Sequence, residues 1–117
     1  MASACTSGPI HAVKLEDILN NYAAAIRWGE FEKAQEFQPP SKRKRLDLAW
    51  LKNIHISSYE VLYKKDEQEN HILEQKVQIR YFIENTAVEK TFIDQQVWRY
   101  DEEHDSLTLQ SDLPTFQ

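Results

Sequence analysis

The chain has 117 residues, a net charge of −5 and 41% hydrophobic residues, the size and composition of one soluble globular domain. A single cysteine excludes an internal disulfide framework and a cysteine-based zinc site. The acidic balance argues against general nucleic-acid binding, and no apolar run approaches the roughly 20 residues that span a bilayer.

Residues 1–12 hold Gly8 and Pro9 and show no hydrophobic period, so they read as a flexible leader, with a single domain over 13–117. The first predicted helix runs from Val13 to Trp28. Leu15, Ile18, Leu19, Tyr22 and Ile26 share one face, Ala23 to Ala25 favour helix, and Gly29 is placed as its stop. A second helix is expected from Glu30 to Phe37, ended by Pro39-Pro40. Ser41 can cap a short third helix with Leu46, Ala49 and Trp50 inward. The three tryptophans, Trp28, Trp50 and Trp98, are expected in the core.

From Asn53 the period changes to two. Ile54 and Ile56 alternate on one parity, then Tyr59, Val61 and Tyr63 on the other, which places a bulge at Ser57-Ser58. Lys64 to Asn70 reads as a polar hairpin loop. Strands then follow over His71–Glu84, Ala87–Tyr100 and Leu107–Gln110, with an irregular tail from Ser111. Helices first and an antiparallel meander second mean α+β: N-terminal helices packed on a curved sheet of about four strands.

A turn at Asn85-Thr86 pairs Ile83 with Val88, Ile79 with Phe92, Val77 with Asp94, Gln75 with Gln96 and Leu73 with Trp98. A hairpin over Asp101–Ser106 pairs Tyr100 with Leu107 and Trp98 with Leu109. One face then collects the large apolar residues, with a polar island of Gln75, Asp94 and Gln96 among them. Such groups are costly inside unless they are hydrogen-bonded or wet. Two readings follow. The island is either the floor of a pocket walled by Trp98 and Tyr22, or a set of core polar groups satisfied by partners, which is the commoner case. The opposite face carries Ile72, Phe82, Ile93 and Val97 among charged residues.

The segment VKLEDILNNYAAAIRWGEFEKAQEF and the pattern VQIRYFIENTAVEKTFIDQQVWRYDEEHDSLTL resemble the nuclear-transport-factor-2-like, cystatin-like α+β cone. The steps Ile26-Arg27-Trp28-Gly29-Glu30-Phe31, Trp98-Arg99-Tyr100-Asp101 and Leu113-Pro114-Thr115-Phe116 are similar to those of small bacterial envelope lipoproteins of that shape. The resemblance implies a non-catalytic domain that binds a small ligand or a protein. Its alternative is a small enzyme of the ketosteroid-isomerase type with Asp94 as general base, although no second inward acid accompanies Asp94. It also implies pairing of two copies through the second sheet face.

Ala2-Ser3-Ala4-Cys5 resembles the end of a lipobox, with an apolar stretch expected before residue 1. Cys5 is therefore the lipidation candidate. Residues 6–12 would be a tether and the cell envelope the location; a free cysteine on a cytoplasmic protein is the alternative. The four histidines lack metal-ligand spacing on any one element, so neither a metal nor another cofactor is expected. The run Lys42-Arg43-Lys44-Arg45 resembles an import signal or a phosphate patch. In an acidic chain it is better read as a solvated helix start, whose charge calls for an acidic neighbour.

Overall fold

The computed structural model describes residues 2–101 and 103–117, with side chains from Lys14 onward inside the first helix. The architecture is α+β. Helices α1 (Ala2–Arg27), α2 (Phe31–Gln35) and α3 (Leu48–Leu51) precede strands β1 (Ile54–Glu67), β2 (Ile72–Ile83), β3 (Glu89–Asp101) and β4 (Ser106–Leu109). The strands form one open antiparallel sheet in the order β1-β2-β3-β4. No helix among the described residues is long and apolar enough to cross a membrane.

The stripe on α1 docks as its spacing dictates. Leu15, Leu19, Tyr22, Ala25 and Ile26 are buried, while Ile18 is half-covered. The helix begins at Ala2, well before the expected Val13, because a helix once nucleated gains a hydrogen bond with each added residue. Cys5 and the other side chains before Lys14 lie outside the described set, and the tether reading with them. Gly29 stops the helix at φ +72°. Its N–H donates to the Ile26 carbonyl (3.1 Å) and that of Glu30 to the Ala25 carbonyl (2.8 Å), a Schellman closure that needs the left-handed residue.

Between α1 and the sheet the chain departs from expectation. Helix α2 is shorter than Glu30–Phe37, and Ser41 lies in a 3-10 turn, Pro40–Lys42, rather than at a helix cap. Asp47 caps α3 instead, its carboxylate accepting from the Trp50 N–H. Two forces hold 43–47 out of a helix. The Arg43 guanidinium donates to the carbonyls of Gln38 (3.0 Å) and Glu36 (3.3 Å), and four consecutive cations would oppose a helix dipole at its start. The acidic neighbour called for by that charge is Asp112, 3.4 Å from Lys44. Ala49 is exposed rather than inward, and Trp50 keeps 36% of its surface exposed rather than lying in the core. Trp28 is 77% exposed, contrary to a core placement, because it sits at the helix end where the chain reverses.

In the sheet the expected register is the observed one. Val77 lies opposite Asp94, Gln75 opposite Gln96, Leu73 opposite Trp98 and Trp98 opposite Leu109. Odd positions of β2 from Leu73 to Tyr81 are buried without exception, as a one-sided sheet requires. The ladder ends at Phe82–Glu89, one pair short of Ile83–Val88, since the Thr86 N–H turns back to the Ile83 carbonyl with Asn85 at φ 70°. The register shift between Ile56 and Ser58 matches the expected bulge, and a second follows between Val61 and Tyr63. Strand β1 continues through the polar residues 64–67, which were expected in a loop. Main-chain pairing with 72–75 suffices there, because both faces of that stretch meet solvent.

Candidate functional site

The polar island assembles from three neighbouring strands. Gln75 comes from β2 and Asp94 and Gln96 from β3, all on the face that α1 covers. Tyr59 reaches it from β1, because the bulge at Ser57 puts Tyr59 opposite Ile79 on the inner face. Sequence reading had placed Tyr59 on a strand but not in the site. Carrying the bulge into a β1–β2 pairing would have found it.

Gln96 is the hub. Its amide oxygen accepts from Gln75 Nε2 (2.8 Å) and Trp98 Nε1 (3.0 Å). Its amide nitrogen donates to Asp94 Oδ2 (2.8 Å) and to the Tyr59 hydroxyl (3.0 Å). Two acceptor sites and two donors are the whole capacity of a carboxamide, and all four are used. Gln96 is 1% exposed and Asp94 3% exposed, so the bonds among Gln75, Asp94, Gln96 and Trp98 lie away from bulk solvent, where a hydrogen bond is stronger, while Tyr59 at the edge of the network is half-buried.

Burial pushes the Asp94 carboxyl up from the ordinary 3.8 to about 6, with the Gln96 bond pulling in the opposite sense. Burial also raises the Tyr59 and Tyr22 hydroxyls, and the nearby Asp94 charge adds to the effect. Tyr22 sits edge-on to Trp98, ring centres 5.1 Å apart, and edge-on to Phe37 at 5.5 Å. Its hydroxyl and the Gln75 amide oxygen have no hydrogen-bond partner among the described residues. The five residues expected at one site, Tyr22, Gln75, Asp94, Gln96 and Trp98, therefore share one buried region. Trp98, Tyr22, Ile79, Val77 and Gln96 are among the most completely enclosed side chains of the described residues, and hollows elsewhere in the molecule are lined by other residues.

One such hollow has an apolar lining. A cavity of about 260 Å³ lies between the 42–51 segment and the tail. Phe31, Leu46, Trp50, Leu113 and Phe116 give it apolar walls; Lys42, Lys44 and Arg45 bring positive charge, and Asp47 and Asp112 negative. The tail is pinned rather than loose. Trp50 Nε1 donates to the Phe116 carbonyl (2.9 Å), and Phe116 packs against Tyr81, Phe31 and Phe92. Gln38 Nε2 donates to the Ser111 carbonyl (2.9 Å), and the Tyr81 hydroxyl donates to the main-chain oxygen of Gln117 (3.0 Å). Sequence reading missed this cavity. Its only trace there was the Leu113-Pro114-Thr115-Phe116 step, an apolar pattern within a polar tail.

A wider hollow of about 530 Å³ beside Arg99, Glu103 and Thr108 is a polar surface dish. Asp101, Glu103 and His104 cluster there on exposed side chains, with potential metal-binding atoms within 4.8 Å of one another. His104 Nδ1 donates to Asp101 Oδ2 at 2.7 Å, which raises the imidazole and lowers the carboxyl. Comparison with family models finds none that matches this chain, and comparison with curated proteins and solved structures finds no significant match.

Proposed function

We propose that the protein is a non-catalytic small-ligand-binding domain, cone-like in shape and of the bacterial envelope type that its sequence resembles. The observation that carries this reading is the apolar-walled cavity beside the pinned tail, set against a polar island whose central amide has no hydrogen-bonding capacity left for a ligand. In this reading the island specifies the packing of the sheet, and the ligand enters from the side of residues 42–51. Attachment through Cys5 and pairing of two copies through the Phe82 and Ile93 face belong to the same proposal.

The test is a fluorescence titration with the neutral two-ring probe 1-naphthylamine. Saturable enhancement is expected for the native chain, with its loss in Leu113→Trp, where the larger ring fills the cavity. No saturable signal, or an unchanged signal in the filled variant, would refute the reading.

The alternative, proton transfer by Asp94, draws on its raised carboxyl and the unpartnered Tyr22 hydroxyl. Against it stand the enclosure of Asp94 and its bond to Gln96. Conversion of a β,γ-unsaturated ketone to its conjugated isomer, followed by absorbance and lost in Asp94→Asn, would establish that alternative instead.

A further inference from the structure

The charges around the cavity identify the class of ligand. Asp112 is paired with Lys44, and one oxygen of Asp47 is committed to the Trp50 N–H. Lys42 and Arg45 line the same cavity, and the structure gives neither an acidic partner among the described residues. The 42–45 run holds four of the chain's fourteen Lys and Arg, on a molecule of net charge −5. The positive charge is thus local to this mouth, and solvated lysine and arginine retained beside an apolar wall form a site with two chemistries. The aromatic and aliphatic walls favour an apolar body, and the rim favours a negative head. A cavity of about 260 Å³ falls just under the range of roughly 300–1,000 Å³ usual for drug-sized ligands, which limits the body to about a fused pair of aromatic rings or a short alkyl chain.

The charge balance also limits the head. Three cations and two carboxylates leave one positive charge over, which one negative charge satisfies. A dianion would leave one negative charge over, with no cation in the lining to meet it. Arginine's planar fork matches a carboxylate in two parallel hydrogen bonds. Resting on the cavity as the binding site, we propose that the ligand is an amphipathic monocarboxylate, its apolar body against Trp50, Leu113 and Phe116 and its head between Lys42 and Arg45.

The experiment compares probes that differ only in the head group, titrated calorimetrically into the full chain: 2-naphthoate, 2-naphthalenemethanol, 2-naphthylmethylammonium and 2-naphthyl phosphate. The expected order is naphthoate first, the alcohol next and the ammonium last. Arg45→Gln and Lys42→Gln should each weaken naphthoate about ten-fold, the scale of one charge-assisted hydrogen bond, and weaken the alcohol much less, because a neutral head loses no ionic contact. Retained alcohol binding also shows that the substitutions leave the cavity intact. Equal binding of naphthoate and alcohol, or a preference that survives the double variant, overturns this inference and leaves the cavity reading standing. Tighter binding of the phosphate overturns the monoanion assignment. Binding of none of the four overturns the cavity reading and this inference with it.

Discussion

Asp94→Asn should make the protein more stable near pH 8 and slightly less stable near pH 4. The carboxyl is enclosed on the inner sheet face, and burial raises it from 3.8 to about 6. A folded value above the unfolded one means that the folded state holds the proton more tightly. The stabilisation is therefore complete below about pH 4 and is lost as pH rises through about 6. Converted at 1.36 kcal/mol per pH unit, the ionised carboxylate costs about 3 kcal/mol at pH 8 relative to its protonated form. Asparagine keeps the shape and still accepts from Gln96 Nε2, but it adds an N–H donor that lacks an assigned partner, at a cost of about 1 kcal/mol. The expected net change is a gain of about 2 kcal/mol near pH 8 and a loss of about 1 kcal/mol near pH 4. Urea unfolding followed by tryptophan fluorescence, at steps between those pH values, reads it directly. Groups that titrate equally in both proteins cancel in the difference. A difference between the two proteins that stays flat with pH, or one in which the native chain gains on the variant as pH rises, would refute the desolvation argument.

Other substitutions probe neighbouring contacts. Gln96→Leu strands four partners at once and should cost at least about 3 kcal/mol in urea unfolding; in the same variant Asp94, deprived of the bond that lowers it, should titrate above 6 by carboxyl NMR. Tyr22→Phe removes a buried hydroxyl with no partner among the described residues and should stabilise by about 1 kcal/mol, with a higher thermal midpoint; a loss of more than about 1 kcal/mol would mean that the hydroxyl is satisfied. Phe116→Ala takes a buried ring from between Tyr81, Phe31 and Phe92 and should cost about 3–5 kcal/mol if the tail unfolds with the domain; a cost under about 1 kcal/mol would show that the tail detaches on its own.

Sequence by itself determined the elements whose pattern has a strict period. The odd-numbered apolar run of β2 admits one register with β3, because a slip of one residue would turn Val77, Ile79 and Tyr81 to solvent and the charged even positions inward. That register carried Gln75, Asp94 and Gln96 to one buried place. Gly29 was legible for a similar reason, since a left-handed residue at a helix end leaves few other choices. Tertiary structure decided what local pattern leaves free. Whether Arg43 to Asp47 coils depends on carbonyls of Glu36 and Gln38 that the guanidinium happens to reach, and Trp28 is outside because the chain reverses beside it. The satisfaction of Gln96 could be seen only once three strands lay side by side, since each of its four partners sits at a position that is individually unremarkable in sequence. The cavity is the clearest case. Its walls come from α2, the irregular 43–47 segment, the short α3 and a tail without regular structure, brought together by Phe116 entering the core and Trp50 bonding to its carbonyl. Contacts between irregular segments have no period, so packing alone creates them.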